Sequence, residues 1–263
     1  MTDARSGFWD WARSVVEHRR AQSPAALPGQ LYQTSTMDAL LAGVYDGDVT
    51  VAELLRHGDF GLGTFNGLDG EMVVLDGTCH HLRADGTAVS AAPDERTPFA
   101  AVTRFVPGRT VSLTEPANWA EVTARIDDLV GSDNVMCAVR IRGDFAALET
   151  RTVAAQHHPY PPLVEATASQ AKARFTDVSG TLAGFRMPEF EEGISVAGYH
   201  LHFLTADQRR GGHCLDFQMS RGTIEVAQLS ELHLSVPQTE AFRGAALNAA
   251  DTADQIRRTE GGH

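Results

Sequence analysis

Between Gly198 and Phe217 the chain reads GYHLHFLTADQRRGGHCLDF, two runs of alternating pattern parted by residues 206–209, ADQR. Side chains two apart on a strand share a face, so His200 and His202 project together while Leu201 and Phe203 point to the opposite, apolar side. With Phe203 facing Gly212 in a hairpin, residues 206–209 form its turn and His213 lies directly across from His202. Opposed residues have Cβ atoms about 5 Å apart. The pattern therefore predicts a β-hairpin that gathers three imidazoles over one face.

Three imidazole nitrogens at about 2.0–2.1 Å from one ion leave its remaining positions open to water or substrate, the arrangement of catalytic rather than structural zinc. Zinc is preferred over iron or manganese because three imidazoles suit it and nothing implies redox chemistry. Gly211 and Gly212 are expected to let the return strand begin without crowding the ion. The same residues also read as exposed or hydrogen-bonded strand histidines; the third one, in register, is what turns the pattern toward a metal. A cupin-like site would add a glutamate a few residues after the pair, where residues 204–209 hold only Asp207.

Along the chain, residues 36–43 and 50–57 are predicted as helices, the second opening with a Thr50-x-x-Glu53 capping box. The glycine-punctuated stretch 58–86 predicts two or three strands. Residues 116–130 predict a helix, with Trp119, Val122, Ile126 and Leu129 at helical spacing, and Val135, Cys137, Val139 and Ile141 alternate as a strand. Pro159, Pro161 and Pro162 mark a crossing. A helix is then expected over 163–175, strands over 180–186, 193–204, 212–219 and 222–227, and helix from Gln238 onward. The expected division is an N-terminal extension (1–30), an N-terminal α+β half (31–162) and a C-terminal α+β half (163–263). LGTFNGLDGE beside LAGFRMPEFEEG hints that the halves are related.

Composition narrows the partners. The formal charge of −12 and scattered arginine pairs argue against nucleic acid. No segment approaches the roughly 18 apolar residues of a membrane span. The first twenty residues lack an apolar run with a cleavage site, so a cytoplasmic protein is expected. Cys79, Cys137 and Cys214 have no CxxC spacing and read as buried thiols. The adjacent pairs His80-His81 and His157-His158 cannot chelate from regular structure, because neighbouring strand residues face opposite ways. They receive no role, and Asp216 and Cys214 are expected to be structural.

The YHLHF strand with its GGH return, GDFGLGTFNGLDGEMVVLDG (58–77), ETRTVAAQHHPYPPL (149–163) and the C-terminal EGG (260–262) together resemble the α-acetolactate decarboxylase family, in the family's order and over nearly everything after Leu31. The resemblance implies an α+β fold of two related halves, each with a mixed or antiparallel sheet flanked by helices. It also implies a Zn2+ ion, a homodimer, and conversion of a small 2-hydroxy-3-oxo acid, 2-acetolactate, to acetoin with loss of carbon dioxide. It puts the metal ligands on His200, His202 and His213 and the active-site residues on Thr64, Glu71, Arg151 and Glu260. The expected division of labour makes the zinc a Lewis acid on the enediolate, Arg151 the group that orients the carboxylate, and Glu71 or Glu260 the proton donor. Taken without the family, Glu71 is an exposed turn carboxylate, Arg151 a solvated strand residue and Glu260 part of a tail. A binding module related to the plant and prokaryote conserved domain, with a similar histidine trio, is the rival, though TRTV and LDGE are foreign to it.

Overall fold

The computed structural model describes residues 14–15, 27–247 and 252–260. Most of the extension expected over 1–30, and Gly261 and Gly262 of the EGG motif, lie outside the described residues. The architecture is a strand-rich mix of two large sheets with a few short helices. In the first sheet lie β1 (Gln30–Thr34), β3 (Phe60–Thr64), β4 (Glu71–Leu75), β5 (Thr78–Leu82), β6 (Ala88–Ser90), β8 (Ala100–Thr103) and β15 (Glu231–Ser235), while β2 (Val49–Thr50) and β7 (Arg96–Thr97) pair with each other alongside. Its order is β15-β1-β8-β3-β4-β5-β6, antiparallel except for β15 on β1. The glycine-rich stretch from Gly58 thus yields three consecutive strands, as its turns require.

The second sheet holds β9 (Arg109–Leu113), β10 (Ala117–Asn118), β11 (Met136–Thr152), β12 (Ala171–Met187), β13 (Gly198–Thr205) and β14 (Gly211–Leu229). Here β14 pairs with β11, β11 with β12, and β12 with β13, and the end of β13 returns to the start of β14. Four strands therefore close a circuit at one end, around Phe145, Phe175, Phe203 and Phe217. Phe203 stands edge-on to Phe145 and Phe175, and Phe217 edge-on to Phe145, at 5.4–5.7 Å between centroids, a favoured geometry for aromatic pairs. Gly180, Gly143 and Gly222 sit side by side across this sheet. A Cβ at Gly143 would stand 2.3 Å from the Arg221 carbonyl oxygen and one at Gly222 2.2 Å from that of Arg142, so glycine is what lets these long strands run so close. The β11–β14 register shifts immediately afterward, at Asp144 and Phe145, where a bulge bends the pair.

Layering follows from the alternation. Leu62, Val73 and Leu82 of the first sheet pack against Ala138, Ala183, Phe185 and Leu204 of the second, the alanines allowing close approach. On the far side of the second sheet, Val122 and Ile126 anchor the helix Trp119–Val130. Asn118 and Glu121 close its N-terminus as a reciprocal capping box, and Gly131 (φ 74°) ends it in the left-handed region. The helix Val51–His57 opens with the capping box read from Thr50 and Glu53, and covers the outer face of the first sheet with Val51 and Leu54.

Three sequence expectations are corrected. Residues 163–175 are not one helix: a single turn, Leu163–Ala166, and a 3-10 turn, Thr167–Ser169, precede β12, whose first residues pair with Leu148–Thr152 of β11. The helix-favouring composition of LVEATASQAKARF is overridden by that strand partner. The strands expected over 212–219 and 222–227 are one, β14, which runs on through the register shift between Met219 and Arg221 and is not broken there. The strand expected over 193–204 begins only at Gly198, after a 3-10 turn, Glu189–Glu191. Both sheets draw strands from either side of Pro162.

Candidate metal centre

The β13–β14 hairpin has the register read from the sequence: His202 opposes His213 and Phe203 opposes Gly212. Its turn occupies residues 206–209, with Thr205 N–H donating to the Arg210 carbonyl (2.9 Å) and Asp207 accepting from the Thr205 hydroxyl (2.6 Å) and the Arg209 N–H (3.1 Å). The glycines have another purpose than the one expected. A Cβ at Gly211 would lie 2.2 Å from the Phe203 carbonyl oxygen, and one at Gly212 2.8 Å from that of Arg151. Crowding by neighbouring backbone, not room for an ion, dictates glycine at both positions.

On its other edge β14 pairs with β11, where His213 opposes Arg151. Arg151, His213 and His202 therefore stand at one level on three adjacent strands, and His200 lies two residues along β13 on the same face. That face looks onto the first sheet, from which Thr64 and Glu71, directly paired between β3 and β4, project back. The helix Thr252–Glu260 brings Glu260 in from the side. All seven sequence-predicted residues thus meet at one place between the two sheets, and the structure buries Glu71, Arg151 and the three histidines. A buried Glu71 and a buried Arg151 replace the solvated residues that a family-free view of the sequence favoured.

The imidazole centroids lie 5.0–5.3 Å apart. His202 Nδ1 donates to the Met72 carbonyl (2.7 Å) and His213 Nε2 to the Glu260 carbonyl (3.0 Å). Because a carbonyl only accepts, the facing nitrogen carries the hydrogen, and His202 Nε2 and His213 Nδ1 are left with lone pairs. Such backbone acceptors commonly fix the tautomer of ligating histidines. His213 Nδ1 is buried and has no hydrogen-bond partner. His200 Nε2 is 3.2 Å from His202 Nε2, close to the roughly 3.3–3.4 Å between two nitrogens bound tetrahedrally at zinc distances. This trio is the group of metal-ligating side chains found among the described residues, its ligand atoms all within 4.8 Å of one another. The donor set fits a divalent ion of zinc type.

Electrostatics favour neutral rings. Burial, with the Arg151 charge adding to it, lowers His200 to about 3; burial and then the neighbouring His200 lower His202 to about 3; burial foremost holds His213 well below its ordinary value. Glu71 moves the other way, raised to about 7 by burial and by Glu260, against the lowering pull of Arg151 and of the Val153 N–H. Its Oε2 lies 3.6 Å from His202 Nε2. Glu260 Oε2 accepts from Arg151 (2.9 Å) and lies 3.5 Å from His213 Nδ1 and 3.6 Å from His200 Nε2. The Thr64 hydroxyl donates to the Gly70 carbonyl (2.7 Å), locking the turn ahead of Glu71.

Thr64, Glu71, Arg151, His200, His202 and Glu260 line a cavity of about 30 Å³ with apolar walls from Met37, Leu40, Leu68, Val153 and Leu163. The sequence pointed to none of those walls, nor to Gln170, whose Oε1 accepts from the second terminal nitrogen of Arg151 (3.1 Å). A lone polar residue in a misassigned helix carries no pattern that would reveal it. Asp216 is exposed, accepting from the Phe217 N–H, and Cys214 packs in the aromatic core. Asp207 stays in the hairpin turn.

The family model described as alpha-acetolactate decarboxylase matches residues 31–249. An alpha-acetolactate decarboxylase from Klebsiella aerogenes is 43% identical over 255 residues, covering 97% of this chain and 98% of the relative. Its counterpart from Methylococcus capsulatus is 45% identical over 218 residues, covering 83% and 84% respectively. The crystal structure of alpha-acetolactate decarboxylase from Bacillus subtilis strain 168 superposes with a TM-score of 0.87 at 41% identity, over 89% of this chain and 100% of that one. Agreement in sequence along almost the whole chain and in fold leads to one conclusion: the chain belongs to the alpha-acetolactate decarboxylase family.

Proposed function

We propose that this protein decarboxylates 2-acetolactate to acetoin, with His200, His202 and His213 holding a zinc ion. The observation that carries the proposal is the clustering of three buried imidazoles, two of which, His200 and His202, line the cavity that also receives Arg151 and Glu71. When bound, the ion supplies Lewis-acid chemistry to the oxygen that gains negative charge as carbon dioxide leaves.

In that reaction the bond from C2 to the carboxylate breaks and its electron pair moves toward the neighbouring ketone. A single proton then joins C2 as the electron pair returns from the oxygen and the ketone re-forms, giving acetoin. Arg151, buried and cationic, is suited to binding the departing carboxylate through its planar fork of donors, and Gln170 and Glu260 orient that fork. Glu71 is the better matched proton donor to C2, since burial raises it to about 7 and so leaves it able to give a proton near neutrality. Glu260, ion-paired with Arg151, serves to orient Arg151 and, through its carbonyl, His213. The apolar walls accept the two methyl groups and exclude water. Two related halves divided near Pro162, a homodimer and a cytoplasmic location complete the proposal; no helix among the described residues is long and apolar enough to cross a membrane.

The test is direct. Purified protein incubated with 2-acetolactate should release acetoin and carbon dioxide in equal amounts, lose that activity on chelation, and regain it with zinc. Absence of acetoin from zinc-loaded, folded protein would overturn the proposal.

A further inference from the structure

His81 has no part in the reaction just described, yet it is buried in the apolar layer on the outer face of the first sheet. Its side chain is 3% exposed and its ring stacks on Phe65 at 3.9 Å. Its strand partner is Met72. An imidazole buried in such surroundings is costly unless its nitrogens are satisfied. Both are: Nε2 donates to the Asp69 carbonyl at 2.7 Å, and Nδ1 meets the Glu95 carboxylate at 3.0 Å. Glu95 is itself held, its other oxygen accepting from the Ala92 N–H.

The Asp69 carbonyl belongs to the peptide immediately before Gly70-Glu71. This turn is unfavourable in itself, with Leu68 (φ 53°) and Gly70 (φ 74°) both in the left-handed region. It persists because each of its peptide groups is clamped. The Gly70 N–H donates to the Leu68 and Val153 carbonyls (3.0 and 3.1 Å), the Thr64 hydroxyl donates to the Gly70 carbonyl, and His81 takes the Asp69 carbonyl from behind the sheet. Glu71 leaves this turn directly into the pocket.

We infer that His81 is a positioning residue for Glu71: through the Asp69 carbonyl it fixes the turn that aims the Glu71 carboxylate at the cavity. The inference rests on Glu71 being the proton donor. His81 touches neither the cavity nor the histidine trio, so its contribution should appear in turnover and not in metal content. A small misplacement of a catalytic group lowers rate without weakening substrate binding.

The test compares His81→Phe, which keeps an aromatic ring on Phe65 but donates nothing, with His81→Gln, which restores an N–H donor. With zinc-loaded protein and 2-acetolactate, His81→Phe should lower kcat by about ten- to hundredfold, leave KM within about twofold and keep wild-type zinc content. His81→Gln should recover most of the loss. In a Glu71→Gln background, where the carboxylate no longer delivers the proton, His81→Phe should add nothing, because the two residues act as one unit. Wild-type kcat in His81→Phe, failure of glutamine to rescue, or multiplying losses in the double variant would each overturn the inference. Should His81→Phe not fold, His81→Met against His81→Gln, similar in length and differing in the donor, puts the same question with the same outcomes. Full activity in Glu71→Gln alone would instead remove the proposed role of Glu71, a separate failure.

Discussion

His213 is held between two demands: its Nε2 must face the Glu260 carbonyl, and its Nδ1 is buried among other imidazoles with no partner of its own. The trio stays neutral at a cost visible in pH dependence. The unfolded chain protonates these rings below about pH 6.5, whereas folded His200 and His202 do so only near 3. Stability of the metal-free protein should therefore fall as pH falls from about 6.5 toward 3, unfolding taking up as many as three protons. Glu71 opposes this, because its folded value of about 7 means the native state holds a proton the unfolded state has lost between about 4.5 and 7. Three protons against one leave a net slope from these four groups of roughly 2–3 kcal/mol per pH unit between about pH 4.5 and 6.5. Urea melts across that range should show the slope reduced by about one proton in His200→Asn; an unchanged slope would mean the ring is not held neutral. Glu71→Gln should keep its zinc while kcat falls by about 10²–10⁴, measured by single-turnover kinetics beside metal analysis. At this scale the sequence was most legible where a period of two met a third histidine at a countable distance. It was least so for Gln170 and His81, whose roles depend on partners 19 and 12 residues away.

The hairpin is readable because its constraints are local: alternation fixes the faces, the four-residue turn fixes the register, and two glycines mark where the return strand passes under its neighbours. The helix expected over 163–175 went wrong for the opposite reason. Its residues favour helix locally, but Ala171–Phe175 find hydrogen-bond partners in Leu148–Thr152, which no window of sequence displays. Close packing of these strands gives an element-scale prediction. A Cβ at Gly184 would lie 1.9 Å from the His200 carbonyl oxygen and 2.9 Å from Leu62. Gly184→Ala should push β13 away from β12, cost about 1–3 kcal/mol and weaken zinc retention, although residue 184 is no ligand. Denaturant melts and a chelator competition assay would check both parts, and wild-type zinc retention would show the hairpin to be less tightly coupled to the sheet than the geometry requires.

For the molecule as a whole, the candidate site is a seam. The second sheet contributes three imidazoles and a guanidinium, the first contributes Thr64 and Glu71, and the helix Thr252–Glu260 contributes its last described residue. The apolar residue that this helix buries most deeply is Ile256, an anchor of about 1.5–3 kcal/mol. A variant lacking residues 252–263 should therefore keep both sheets, with Tm lowered by only about 4–8 °C, while kcat/KM drops by about a hundredfold or more because Arg151 and His213 lose their Glu260 partners. Calorimetry beside steady-state assays would separate the two effects, and unaffected kinetics would remove the helix from the site. The central claim, that one ion between three imidazoles makes this seam reactive, is tested most directly by titrating metal-free protein with zinc while following acetoin formation. Activity should rise linearly and saturate at one equivalent per chain in the wild type, and stay near zero throughout in His202→Ala. Full activity before any zinc is added, or an equal response from the variant, would contradict it.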